Sequence, residues 1–301
     1  EEIKAAADSM DIEFMRVLEK AASNIRKYHS KQVRNSFVMT EENGIVLGQK
    51  IVPVSVAGIY VPGGSAAYPS TVLMDTIPAK ITLPVDLDTT KSYPVIVFIY
   101  GGPNAGTVMD TWTGVNETTQ WWANEGVIRV EMDHRASGHC GKEGVNFMYR
   151  NFVTIELKDY IAWMKELYKR PYINREKVGI TGFSYGGTVT GAAVIRYGEY
   201  FPYGIAGGGV YDYALYDTHY TERYMDTPQD NPEGYANTRL RNFVEKYKGD
   251  STNSLRITNG TVYDNVHLQN TLQLVDALEQ SNKQFEMTLY PGQFHGYRGL
   301  K

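Results

Sequence analysis

The sequence predicts an α/β fold built on a largely parallel sheet, and three observations carry that expectation. From about residue 94 onward, short apolar runs alternate with helix-compatible stretches, the pattern of a parallel sheet covered on both faces. Gly182-Phe183-Ser184-Tyr185-Gly186-Gly187 lies directly between an apolar run at 177–181 and a helix-compatible run at 188–195. The 301 residues are 42% hydrophobic and 21% charged, which suits a packed core and not a disordered chain.

The elements follow in order. Ile3, Ala7, Met10, Phe14, Val17, Leu18, Ala21, Ile25 and Tyr28 recur at steps of three and four, predicting an amphipathic helix over 3–28. Asn43-Gly44 marks a turn. Residues 45–47 and 51–60 are strand-like, and Val61-Pro62-Gly63-Gly64 breaks the run. Pro78, Pro84 and Pro94 then punctuate a segment ending in Asp86-Leu87-Asp88-Thr89-Thr90-Lys91-Ser92. This shift divides the chain into a small α+β segment, 1–81, and a larger α/β domain, 82–301. Within the domain, strands are expected at 95–100, 127–132, 178–181, 205–208, 255–259 and 285–290. Helices are expected at 155–169, 187–197 and 266–280.

Several classes are set aside by composition. A formal net charge of −4 without a basic domain gives nucleic acid no footprint. No apolar stretch reaches membrane-spanning length. There is no signal-peptide pattern, which favours the cytoplasm and leaves the compartment open. The single cysteine, Cys140, excludes an intramolecular disulfide. It follows His139 in a glycine-rich loop. A Cys–His nucleophile or metal pair is conceivable there, but further ligands at metal spacing are lacking, so a structural thiol is the reading. No metal and no cofactor are expected. Asn116 and Asn259 each begin an Asn-x-Thr sequon, and Asn259 ends an expected core strand.

Strand, tight glycine-flanked turn and helix make the Gly182–Gly186 stretch a nucleophile elbow, which lifts the Ser184 hydroxyl above the sheet. The alternative is a glycine-rich turn that happens to carry a serine. A hydroxyl needs a base to become a nucleophile at neutral pH. In an α/β-hydrolase the chain order is Ser, acid, His. His295, in a glycine-flanked loop past the last strand, fits the base; His267, at a helix start, is its competitor. Asp264 is the one carboxylate in the 259–266 loop. It is the candidate acid that would hold the His295 tautomer, or else an N-cap.

Residues 82–301 resemble the catalytic domain of the prolyl oligopeptidase superfamily, in its dipeptidyl peptidase IV branch. The motifs that carry the resemblance are Tyr93-Pro94-Val95-Ile96-Val97-Phe98-Ile99-Tyr100-Gly101-Gly102-Pro103, Asp133-His134-Arg135-Ala136-Ser137-Gly138, the elbow, Tyr220-Thr221-Glu222-Arg223-Tyr224-Met225, Gly260-Thr261-Val262-Tyr263-Asp264-Asn265-Val266-His267 and His295-Gly296. The resemblance implies an α/β-hydrolase fold with Ser184 as nucleophile and His295 as base. It implies an oxyanion hole from the Tyr100 hydroxyl and the Tyr185 N–H. Tyr185, Val210, Tyr213, Tyr216, Tyr220 and Val266 would line an apolar pocket suited to proline, with Arg223 and Asn265 as polar residues beside it. The implied function is a serine hydrolase cleaving peptide bonds, of post-proline or dipeptidyl type, or ester bonds through an acyl-enzyme. The partners expected are a peptide or small ester substrate and neither nucleic acid nor membrane, with self-association left open.

Three departures stand out. The family pattern Gly-Thr-x-Asp-Asp-Asn has its catalytic Asp where this chain has Tyr263, which favours a second expectation, a catalytically impaired hydrolase-fold protein. Ala136 replaces a glycine. Only six residues follow His295, short of the family's closing helix. The family also carries a β-propeller; the 301 residues contain no propeller repeats, so a more open, less selective site is expected.

The first 80 residues resemble the N-terminal part of histidinol dehydrogenase. The runs are Asn24-Ile25-Arg26-Lys27-Tyr28-His29, Val46-Leu47-Gly48-Gln49-Lys50, Val61-Pro62-Gly63-Gly64-Ser65-Ala66-Ala67-Tyr68-Pro69-Ser70-Thr71-Val72-Leu73-Met74 and Ile77-Pro78-Ala79-Lys80. In that family Tyr60 would approach a nicotinamide. The zinc ligands and the catalytic Glu-His pair have no counterpart, so this segment is expected to be non-catalytic, and a histidinol dehydrogenase-related protein is the minor alternative. The chain reads as two unrelated segments joined near residues 80–84.

Overall fold

A computed structural model of the chain describes residues 11–30, 37–40, 46–49, 77–109 and 116–297. It divides into two compact units, Glu1–Thr76 and Ile77–Lys301. In the first, α1 (Ile12–His29) begins where the Asp11 carboxylate accepts the Glu13 N–H at 2.7 Å, the capping that frees a first turn from water. β1 (Phe37–Thr40) pairs antiparallel with β2 (Val46–Gln49), Phe37 facing Gln49 and Thr40 facing Val46. The start of the expected first helix, the Asn43-Gly44 turn, the strand at 51–60 and Tyr60 lie outside the described residues.

The second unit is organised by seven strands: β3 (Ala79–Thr82), β4 (Tyr93–Phe98), β5 (Ile128–Met132), β6 (Ile173–Phe183), β7 (Tyr203–Gly207), β8 (Ser254–Gly260) and β9 (Glu286–Tyr290). They form one sheet in the order β3-β5-β4-β6-β7-β8-β9. Every pairing is parallel except β3 with β5, where Ala79 faces Met132 and Thr82 faces Arg129. The sheet is the parallel one expected, and its expected strands are present. β6 begins five residues before 178, because the exposed Arg175, Glu176 and Lys177 hide its start from an apolar pattern. β3 was not expected. It has no fully buried residue and is held by backbone pairing at the sheet edge.

Alternation puts Val95, Val97, Ile128, Val130, Val178 and Ile180 on one face, all buried. Helices α4 (Ile155–Leu167), α5 (Tyr185–Arg196) and α8 (Leu268–Gln280) contribute buried residues to this core. α5 is buried from Tyr185 to Ile195, the profile of a helix packed in the centre of the unit. The opposite face is covered unequally. Trp122 of α2 (Glu117–Asn124) packs edge-on to Phe98, and the Arg129 guanidinium lies 4.3 Å from the same ring. Farther along that face Ile205 is 48% exposed.

The remaining helices are short: α3 (Gly141–Asn146), α6 (Thr218–Met225), α7 (Pro232–Thr238) and the 3₁₀ segments Tyr213–Leu215 and Leu240–Lys246. Side-chain caps define α2, α6 and α7. Asn116, Asp217 and Asn231 accept the N–H groups of Thr119, Tyr220 and Gly234, and Pro232 opens α7. The two sequons differ in place: Asn116 is exposed, whereas Asn259 is fully buried and donates to Thr271.

Candidate active site

The loops that follow β4, β6, β8 and β9 all leave the sheet at its C-terminal edge, where open α/β sheets place their sites. Ser184 stands between β6 and α5 with φ 60° and ψ −119°, a conformation a side chain adopts only under constraint. The constraint is steric and local. A Cβ at Gly182 would lie 2.6 Å from the Ile99 carbonyl oxygen, and one at Gly186 would lie equally close. The Ser184 N–H donates to the Gly207 carbonyl at 2.8 Å. As the residue preceding the first turn of α5, Ser184 sits beside N–H groups without intrahelical acceptors, at the positive end of the helix dipole.

His295 lies in the loop past β9, which is bound to the end of β8. The Thr261 N–H donates to Tyr290, the Val262 N–H to Gln293, and the Gly292 N–H to the Thr261 hydroxyl. A side chain at Gly260 would collide with the Gln293 carbonyl, so glycine permits this close approach. The His295 ring is flanked by Phe183, centroids 5.2 Å apart, and by Tyr263 at 4.8 Å with planes 20° apart. The Tyr263 hydroxyl is hydrogen-bonded to His295 Nδ1. Burial holds the His295 pKa below the ordinary histidine value, and the Asp264 charge opposes that shift. Asp264 is exposed and makes no hydrogen bond to the ring. The expected acid thus reaches His295 by charge alone, because the one-residue offset gives the contact position to Tyr263. His267 is the exposed N-cap residue of α8, and its side chain makes no capping bond. Ser184 and His295 are brought to neighbouring loops without a hydrogen bond between them; such bonds commonly tighten on substrate binding.

Tyr100 follows β4 and is 40% exposed, its ring 6.3 Å from that of Tyr185. The Asp133-His134-Arg135 motif braces the loop that carries it. Asp133 accepts the N–H groups of Thr107 and Val108 and is bonded to His139 at 2.7 Å. Buried His134 accepts the Ala136 N–H at Nδ1, which leaves the proton on Nε2 to donate to the Gly101 carbonyl at 3.0 Å. Burial lowers its pKa to about 4. Arg135 makes a paired bond to the buried Asp159 carboxylate, 2.5 Å at its closest. The ring of His139 is committed to Asp133, and Cys140 is the N-cap residue of α3.

The tyrosines expected around a pocket form one aromatic chain. Ring centroids step from Tyr185 to Tyr213 at 6.2 Å, to Tyr216 at 6.1 Å and to Tyr220 at 5.8 Å. The Tyr216 hydroxyl donates to Asn265 at 3.1 Å. Val210 and Val266 are buried and Arg223 is exposed. Two residues missed in the sequence hold this chain together. Phe152 is fully buried and touches the rings of Tyr185, Tyr213, Tyr220 and Tyr224. Glu156 accepts the Tyr185 hydroxyl at 2.5 Å and the Val153 and Thr154 N–H groups at 3.0 and 3.1 Å. Burial raises its pKa to about 7. Val153 has φ 61°, a strain of about 1–3 kcal/mol; its full burial offsets a comparable amount, about 1.5–3 kcal/mol. Glu156 could have been flagged, since it lies four residues before the core Tyr160 on the same helical stripe.

Among the described residues no group of three or more His, Cys, Asp or Glu could hold a metal ion. The arrangement offers a constrained serine hydroxyl, a neighbouring imidazole, helix N–H donors and an aromatic wall, the components of acyl transfer.

Comparison with known proteins gives two family matches. The model of the prolyl oligopeptidase family matches residues 113–300, and that of histidinol dehydrogenase matches residues 1–84. Relatives named "Probable dipeptidyl-aminopeptidase B" are 38% identical over 233 residues in Uncinocarpus reesii and 37% identical over 231 residues in Arthroderma otae. They cover 76% and 75% of this chain, which spans about a quarter of their length, 25% of each. The crystal structure of Porphyromonas gingivalis dipeptidyl peptidase 4 aligns with a TM-score of 0.68 at 29% identity, over 88% of this chain and 33% of that one.

Proposed function

The chain belongs to the prolyl oligopeptidase family of serine peptidases, with an α/β-hydrolase domain, and from that premise we propose that Ser184 cleaves peptide or ester bonds through an acyl-enzyme. The observation that carries the reading is the backbone of Ser184, held at φ 60° by close packing of three chain segments. His295 is the proposed base, and the Tyr100 hydroxyl and Tyr185 N–H the proposed oxyanion donors. The aromatic chain around Phe152 supports a compact apolar side chain, proline included, on the acyl side of the scissile bond. Exposure of Tyr100 and His295 supports an open site of low selectivity.

A fluorophosphonate probe tests this directly. It is expected to label the folded protein at Ser184, and Ser184→Ala is expected to abolish labelling. Absence of any adduct by mass spectrometry on folded wild type and on folded Tyr263→Asp alike removes the reading. A second reading, an impaired site, is favoured by one observation: a phenol, and not a carboxylate, is bonded to His295 Nδ1.

A further inference from the structure

The hydrogen bond between Tyr263 and His295 has a direction, and the direction decides what the imidazole can do. A carboxylate at Nδ1 can only accept, so it fixes a proton there and leaves Nε2 bare to act as a base. A phenol can accept or donate. Three observations favour donation. Tyr263 is 5% exposed, and its hydroxyl has no second hydrogen-bond partner among the described residues. A buried hydroxyl proton without an acceptor is costly, and Nδ1 is the acceptor at hand. The fit is also tight on the other side: a Cβ on Gly208, itself at φ 53°, would lie 2.5 Å from the Tyr263 oxygen. Burial raises the phenol pKa, so the hydroxyl keeps its proton. The ionisable groups around the pair are Asp264, Tyr211, Tyr216 and Tyr297. Burial raises the three phenols, and Asp264, which acts on His295 through its charge, bonds to neither ring.

We propose that Tyr263 donates its hydroxyl proton to His295 Nδ1, holding the imidazole in the tautomer that carries its proton on Nε2, so that the resting site lacks a base facing Ser184. Tyr263 is then a positioning residue that throttles acyl transfer. This rests on Ser184 and His295 being nucleophile and base. Turnover requires the tautomer to exchange first. The Nε2 proton leaves to water, a proton from water arrives on Nδ1, and the Tyr263 hydroxyl turns from donor to acceptor, with no net change in protons. Nε2 then takes the Ser184 proton as Oγ bonds to the carbonyl carbon, and passes it to the leaving group as that bond breaks.

The test compares second-order fluorophosphonate labelling of wild type, Tyr263→Phe and Tyr263→Asp in the full chain. Removing only the donor frees the tautomer, so Tyr263→Phe is expected to label faster, by roughly fivefold or more, the worth of one net hydrogen bond. Tyr263→Asp offers only an acceptor, on a shorter side chain; with the His295 loop drawn in to it, the productive tautomer is fixed and a gain on the order of 10²- to 10⁴-fold is expected. A merely structural tyrosine predicts equal or slower labelling of Tyr263→Phe, and that result overturns the proposal. Ring ¹⁵N shifts give a readout independent of activity: a proton on His295 Nε2 with bare Nδ1 supports the proposal, and a proton on Nδ1 in the resting protein overturns it. If none of the folded proteins labels, the acyl-transfer reading falls, and the ring spectrum still decides the tautomer.

Discussion

His134 and Glu156 are buried ionisable residues beside the site, and burial moves both toward neutrality. For His134, lowered from 6.5 to about 4, the unfolded chain binds the proton that the folded one refuses, so stability rises as pH goes from 4 to 6.5. For Glu156, raised from 4.5 to about 7, the folded chain keeps a proton the unfolded one has lost, so stability falls as pH goes from 4.5 to 7. The two contributions, each on the order of 3 kcal/mol, oppose one another across the shared range. Glu156→Gln removes the falling contribution. Its melting temperature is expected to climb with pH between 4.5 and 6.5 more steeply than that of wild type, as scanning calorimetry at several pH values would show. At this scale the sequence was half legible. The turn that carries Ser184 and the loop that carries His295 were readable because their glycine-flanked settings are local. The contacts of Tyr263, Phe152 and Glu156 were not, because they depend on loops from different strands meeting across the sheet edge.

The element that sets the site is the turn from β6 into α5. Its glycines are there because neighbouring backbone leaves no room. A Cβ at Gly187 would collide with the carbonyl of Gly207 on β7, whose strand cannot retreat without breaking its pairing with β8. Gly187→Ala is expected to cost several kcal/mol, in the range of core overpacking, and to slow labelling of Ser184. Gly126→Ala is a useful control for φ alone: Gly126 has φ 72° but open space around its Cβ position, so a smaller fall in denaturant midpoint is expected. The central strands were legible because burial on the helix-packed face makes them apolar. The short helices were not, since caps such as Asn231 and not periodicity define them, whereas α5, though buried on every side, was expected at 187–197 and is present.

For the whole molecule the question is where one unit stops. The boundary expected at 81/82 cuts β3; the one we propose, between Thr76 and Ile77, is testable with two fragments. Residues 77–301 retain β3 and are expected to fold cooperatively, with Ser184 still labelled. Residues 83–301 lack it, exposing the β5 edge, and are expected to melt several degrees lower or to aggregate. Equal stability of the two would show β3 to be dispensable. The change of character near residues 80–84 was visible in the sequence through prolines and motif content. The pairing of residues 79–82 was not, because an edge strand of four residues carries no periodic signal of its own.

That strand has a wider meaning. β3 falls within the stretch matched by histidinol dehydrogenase, yet its ladder partner β5 falls within the stretch matched by the peptidase family. A ladder is made of N–H and C=O groups that every residue but proline supplies alike, so the bond across this seam reads no ancestry. A helix grafted onto a core must match volume and shape side chain by side chain; a border strand need only be extended and of suitable length. The rim of a sheet is therefore where unrelated lineages can be spliced without either hydrophobic interior being rewritten.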